Sequence, residues 1–214
     1  MISERIEVET LKLFSTPVIV TLFPKHKQYK WKSFERVNRK PREWLTPVNT
    51  SFPEIKDDDP YIDKYTSDNL KKDILEHLEK VFQCHNMPHK VNYTDFWYNA
   101  YYEGDAQESH DHLSHDNNNP YWFGIYFAKN CFPGQLAFQH KNHSLRLQQK
   151  YDHASSKLAD FYQDTWAPSI QDGMIMLFPP HLTHGVRAGI ENRNEMRLTF
   201  SFNLIIDDVP QWRF

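Results

Sequence analysis

At 214 residues the chain is long enough for one well-buried domain. Its net charge of −3 gives no bulk electrostatic basis for nucleic-acid binding, and no apolar run approaches the roughly 20 residues that a membrane span needs. Two cysteines without a CxxC argue against a disulfide framework, and the opening MISERIEVETLKLF lacks the basic-then-apolar layout of a signal peptide, so a cytoplasmic protein with buried thiols is expected.

In chain order, LKLFSTPVIVTLF (11–23) reads as a strand, with Pro17 marking an edge or a break. Residues 24–65, with prolines at 24, 41, 47, 53 and 60, read as an irregular wrap with a turn at DDDP (57–60). In SDNLKKDILEHLEKVFQC (67–84), Leu70, Ile74, Leu78, Val81 and Phe82 form one apolar stripe. That spacing predicts a core-packed helix capped by Ser67 or Asp68. Beyond Pro88 the texture changes to short strands and turns: DFWYNAYY (95–102), a turn at Glu103-Gly104-Asp105, PYWFGIYFAK (120–129), a turn at Pro133-Gly134 and QLAFQH (135–140). GMIMLFP (173–179) follows a turn at Gln171-Asp172-Gly173, and HGVRA (184–188) is next. RLTFSFNLII (197–206) alternates, with Arg197, Thr199, Ser201 and Asn203 on one face and Leu198, Phe200, Phe202 and Leu204 on the other. Aromatics make up 15% of the chain and favour strands. One helix followed by many short strands predicts a mainly β sandwich or barrel with helical support. Residues 141–167 interrupt the pattern as a polar insertion or lid, with a short helix at 154–163.

Histidine is the compositional outlier: there are 12, half of them between residues 110 and 153. In QESHDHLSHD (107–116), strand alternation turns His110 and His112 to one side and Asp111 to the other. Two imidazoles on one wall of a small barrel can serve as two metal ligands, and His184, after the break at Pro179-Pro180, is the candidate third. Asp111, His115 or Asp116 could enter the ligand set instead if the register differs. His115, His140, His143 and His153 read as surface or loop histidines, and His181 sits in a turn. Arg197 lies 13 residues past His184, on a strand with an apolar face toward the core. A fixed cation there can hold the far carboxylate of a bound diacid. Of Trp97, Tyr98, Tyr101 and Trp122, alternation assigns half to the core and leaves the rest to line a groove.

WYNAYYEGDAQESHDH (97–112), GIYFAKN (124–130), GQLAF (134–138), PSIQDGMIMLFPPHLTHGV (168–186) and RLTFSFN (197–203) together resemble the Fe(II)- and 2-oxoglutarate-dependent oxygenases. The likeness is to the branch similar to prolyl 4-hydroxylases, and within it to sequences from bacteria and marine phages; LFSTPV (13–18) is similar to their opening. The resemblance implies a double-stranded β-helix, a jelly roll of cupin-like architecture. It implies one domain over 1–214: a strand, wrap and helix in 1–90, and the β core in 91–207 with its insertion at 141–167. It implies Fe(II) held by His110, His112 and His184, and 2-oxoglutarate held by Arg197 with Thr199, Tyr102, Tyr126 and Asn99 nearby. The activity implied is hydroxylation of a C–H bond in a peptide, protein or small molecule, with peptidyl proline the leading substrate. Dioxygen is consumed, and succinate and CO2 are the co-products. A phage origin would place the protein in the host cytoplasm.

Two departures from the family pattern stand out. The usual HxD pair is HxH here, because His112 replaces the carboxylate, and Phe127 stands where prolyl hydroxylases often carry a tyrosine. Three neutral imidazoles leave a bound metal one positive charge richer than the usual triad. Two other classes therefore stay open: a three-histidine cupin-type dioxygenase that uses no 2-oxoglutarate, and a non-catalytic β-barrel binding module. Lys141, Arg146 and Lys150 in the insertion read as a solvated charged loop that could also receive an acidic substrate.

Overall fold

The alternation of RLTFSFNLII organises the molecule. In the computed structural model, which describes residues 16–31, 48–57, 59–87, 90–113, 120–139, 165–188 and 196–206, these ten residues form the strand β10 (Arg197–Ile206). β10 pairs antiparallel with β3 (Val91–Tyr101) on one side and β5 (Trp122–Lys129) on the other. The six-stranded sheet runs β1-β8-β5-β10-β3-β2, with β1 (Ile19–Leu22) and β2 (Asn49–Thr50) at its edges and β8 (Met174–Phe178) inside β1. A second, four-stranded sheet runs β4-β9-β6-β7, from β4 (Gln107–His110), β9 (His184–Val186), β6 (Leu136–Gln139) and β7 (Thr165–Trp166). Two antiparallel sheets packed face to face make a jelly roll, a sandwich of the kind the strand pattern predicts and the fold the resemblance implies.

The faces of the large sheet bury different things. Leu198, Phe200, Phe202 and Leu204 join Phe96, Tyr98 and Tyr126 in a core that α1 (Lys64–Cys84) covers with Leu70, Ile74, Leu78 and Phe82. The other face meets the small sheet through Trp97, Phe123, Ile125, Phe127, Met176 and Phe178, with Leu136 and Phe138 opposite. Of the four aromatics assigned by alternation, Tyr98 and Trp122 lie in the first core, and Trp97 and Tyr101 turn inward between the sheets. At Gly124 an added Cβ would overlap the Phe202 ring, so close packing of β5 on β10 requires glycine there.

Several local expectations change. α1 starts at Lys64, three residues before the predicted start, and its N-cap is Asp63, whose Oδ1 accepts from the Thr66 amide at 2.9 Å. Ser67 lies inside the helix on its buried side. The predicted apolar stripe holds, with Val81 at its half-buried margin. Of the predicted strand at 11–23, residues 11–15 lie outside the described residues; β1 covers Ile19–Leu22 and lies at a sheet edge as Pro17 implied. β3 begins four residues earlier than predicted, at Val91, and ends at Tyr101 rather than residue 102. The insertion read as reaching residue 167 gives way sooner, because Thr165 and Trp166 already pair with β6. Cys131 is buried as expected, but Cys84 is exposed at the end of α1. His115, Asp116, His140, His143, His153, the basic residues of the insertion and the helix expected at 154–163 lie outside the described residues. No described helix is long and apolar enough to cross a membrane.

Candidate metal centre and cosubstrate cavity

Strand pairing brings the histidines together. His110 on β4 is the register partner of His184 on β9. The approach of these strands favours glycine at 185, where a Cβ would sit 3.1 Å from the Gln107 carbonyl oxygen and 3.2 Å from Ser109 Oγ. β4 ends at His110, so the alternation expected through His112 is not carried by ladder pairing alone. The next segment stays in place because the His112 amide donates to the Pro180 carbonyl at 2.8 Å. One ligand atom from each of His110, His112 and His184 lies within 4.8 Å of the others.

Two of the rings are oriented in the same way. His110 Nδ1–H donates to the Glu108 carbonyl at 2.8 Å, and His184 Nδ1–H donates to the Leu182 carbonyl at 3.0 Å. Each bond places the ring proton on Nδ1 and leaves Nε2 unprotonated. His112 Nε2 is buried and finds no hydrogen-bond partner among the described residues. Burial, with the neighbouring imidazoles adding to it, drives His112 down to about 2 and His184 to about 3. His110 is lowered as well, chiefly by burial. All three imidazoles are therefore neutral at pH 7, the form that binds a metal. Asp111 borders the cavity but lies outside the cluster, and its Oδ1 accepts from the Leu113 amide at 3.2 Å.

The three histidines share a cavity of about 220 Å³ with Arg197. Arg197 is 6% exposed, and its Nε and Nη2 have no hydrogen-bond partner among the described residues. Burial lowers its pKa, yet a guanidinium stays charged. The cation lies over the Tyr101 ring, 4.0 Å from its centroid, and the Tyr101 hydroxyl donates to Gln107 Oε1 at 2.9 Å. Thr199, Asn99 and Ser201 line the same wall, with Asn99 Nδ2 donating to Ser201 Oγ at 3.0 Å.

Tyr102 and Tyr126 do not line this cavity. Tyr126 falls on the opposite side of β5 and Tyr102 just past the end of β3, and both pack on the first core; Tyr102 donates to the Tyr61 hydroxyl at 3.3 Å, and Tyr126 meets His26 Nδ1 at 2.7 Å. Tyr101 takes the place expected of Tyr102. It is the register partner of Arg197 and shares a strand face with Trp97 and Asn99, so strict alternation along 97, 99 and 101 carries the signal. Phe52 also lines the cavity, edge-on to Trp97 at 4.9 Å between centroids. It comes from the irregular wrap, where no periodicity marks it.

The family described as "Putative 2OG-Fe(II) oxygenase" matches residues 95–203, half of the chain. The chain belongs to this family of 2OG-Fe(II) oxygenases. The oxygenase is similar in fold to HygX from Streptomyces hygroscopicus, solved with nickel and 2-oxoglutarate bound. The identity is 14%, coverage is 92% of this chain and 86% of that one, and the TM-score is 0.50. It is also similar to a Pseudomonas putida prolyl-4-hydroxylase, at 11% identity over 89% of this chain and 94% of that one, with TM-score 0.48. A viral collagen prolyl hydroxylase from Paramecium Bursaria Chlorella virus-1 shares 12% identity over 75% and 78% of the two chains, with TM-score 0.40. No curated protein sequence matches the chain.

The residues of the oxygenase fit the groups its family name implies. A buried imidazole nitrogen without a partner, beside two tethered imidazoles, suits a divalent metal. A buried guanidinium with two unpartnered nitrogens is costly unless an anion meets it, and a dicarboxylate supplies one.

Proposed function

We propose that this oxygenase is an Fe(II)- and 2-oxoglutarate-dependent dioxygenase that hydroxylates a C–H bond and releases succinate and CO2. His110, His112 and His184 hold the metal, and Arg197 holds the distal carboxylate of 2-oxoglutarate. The observation that carries this reading is the presence in one cavity of three neutral imidazoles and a buried guanidinium with unpartnered nitrogens. A three-histidine dioxygenase that uses no 2-oxoglutarate would leave Arg197 to a protein carboxylate. The orphaned Nε and Nη2 favour the diacid instead.

Bound iron would supply the oxidative chemistry, coupling decarboxylation of 2-oxoglutarate to oxidation of the substrate. The protein supplies position and dryness. Arg197 offers its planar fork to a carboxylate, and the Tyr101 ring packs against the guanidinium at 4.0 Å. Thr199, Ser201 and the Asn99 amide present further polar groups along the same wall. Ile125, Phe127 and Leu136 exclude water beside them, which strengthens the ion pair. No side-chain acid or base is needed.

Phe52, 45% exposed, and Trp97 form an aromatic pair in the lining of the cavity. Such a pair favours an apolar ring, and peptidyl proline is the substrate we propose first. The test is anaerobic addition of Fe(II) and 2-oxoglutarate, followed by dioxygen. A metal-to-ligand charge-transfer band and then succinate are expected; no band in the wild type would refute the reading. Proline-containing peptides that gain no oxygen atom by mass spectrometry, while succinate still forms, would reject the substrate alone.

A further inference from the structure

We infer that Phe123 is a positioning residue for the His112 imidazole, and that it makes the third ligand place one built for an imidazole rather than a carboxylate. The inference rests on the metal-site reading above.

His110 and His184 are each tethered through Nδ1 to the carbonyl two residues before them. Among the described residues no such tether holds the His112 ring. It lies flat on Phe123 instead, with centroids 3.6 Å apart and planes 15° from parallel, and Trp97 stands 6.2 Å away at 42°. The orientation of a ring without a hydrogen bond comes from what it packs against. Phe123 is a rigid platform. It is 2% exposed, its register partners are Phe178 on β8 and Asn203 on β10, and the Phe178 ring leans on it at 5.1 Å. Pivoting the His112 ring away from the other two imidazoles would break the stack.

The same platform disfavours an acid. The face of a phenyl ring carries the negative lobe of its quadrupole and offers no donor. In the metal-free fold a carboxylate at position 112 would sit against a ring face that donates no hydrogen bond, and burying a charge there is costly. A neutral imidazole stacks there without that cost. The neighbouring carboxylate, Asp111, accepts from the Leu113 amide and stands outside the cluster.

The test is Co(II) titration of the full chain under anaerobic conditions. It is read by calorimetry and by the hyperfine-shifted proton resonances of metal-bound imidazoles. Phe123→Leu is expected to weaken Co(II) about tenfold or more, the usual effect of losing a group that orients a ligand. It should alter one of the three sets of imidazole resonances. In a His112→Ala background the same substitution should change Co(II) affinity no further. Phe123→Tyr, which keeps the ring, should restore affinity. Met176→Ala, a loss in the same apolar cluster at a residue that does not line the cavity, should leave affinity intact. Equal weakening by Phe123→Leu with and without His112, weakening by Met176→Ala, or tighter Co(II) binding in His112→Asp would each overturn the inference. A wild type with no imidazole resonances would overturn the metal site itself, which the titration separates from failure of the positioning role alone.

Discussion

The two faces of β10 do opposite work with the same backbone. Leu198, Phe200, Phe202 and Leu204 enter a core in which apolar side chains meet apolar side chains, and α1 closes over it. Arg197, Thr199 and Ser201 enter a cavity, and the guanidinium there has two nitrogens without hydrogen-bond partners among the described residues. One face is finished by folding; the other is finished only by ligands. Stability and function are thus separated across one strand thickness, and a fold can keep its back while its front is poised for chemistry.

That separation is most exposed to test at Phe200, which is fully buried on the back. Phe200→Ala should cost about 3–5 kcal/mol of unfolding free energy in a denaturant titration, the usual range for a buried phenylalanine. The fraction that remains folded should bind Fe(II) and 2-oxoglutarate as the wild type does. A ligand affinity that falls in step with stability would break the comparison. The counterpart in front is Arg197. Arg197→Leu should weaken 2-oxoglutarate by about 2–5 kcal/mol, the range for truncating a buried charged partner. It should leave Fe(II) affinity near the wild-type value. It should cost little stability, since it removes a buried charge two of whose nitrogens have no hydrogen-bond partner among the described residues. Equal loss of metal and diacid binding would contradict the role assigned to Arg197.

The same contrast explains what could be read from the sequence. β10 was legible residue for residue, because burial on both faces with different chemistry writes a strict period of two. The histidine pairing was legible from type and spacing, although ladder pairing stops at His110 and the backbone bond from His112 to Pro180 takes over. Tyr102 and Tyr126, which the resemblance implies near 2-oxoglutarate, do not line the cavity, whereas strict alternation along 97, 99 and 101 points to Tyr101, which does. Phe52 was out of reach, since a residue in an irregular wrap has no periodicity to betray its direction. Phe123 falls within the strand expected at 120–129, and its stack on His112 follows from register between distant strands.

A smaller effect tests the cover on the back. Asp63, not Ser67 or Asp68, caps α1, accepting from the Thr66 amide at 2.9 Å and from the Thr66 hydroxyl at 2.8 Å. Asp63→Ala should lower stability by about 1 kcal/mol, the common cost of losing an N-cap. Asp68→Ala, inside the helix and exposed, should change stability by less than about 0.5 kcal/mol. Because α1 touches the back alone, neither substitution should alter binding of metal or diacid. Reversal of the two stabilities would place the cap where the sequence pattern first put it.

The smallest effect concerns protons, and here the two faces share a sign. On the back, burial lowers the pKa of His77, whose Nε2 meets Thr21 Oγ1 at 3.0 Å, and of His26 beside Tyr126. A histidine whose folded pKa lies below its unfolded value of about 6.5 binds fewer protons when folded, so its contribution to stability is full above that pH and falls as pH drops below it. The front imidazoles, held far lower by burial, act in the same direction in metal-free protein. Acidification from pH 7 to 5 should therefore lower the denaturation midpoint of the metal-free protein. Metal can offset only the front contribution, since it binds the neutral imidazoles of the folded state. His77→Gln should flatten the pH profile by the same small amount with and without Co(II), whereas a flattening that vanishes on Co(II) loading would show that the two faces communicate.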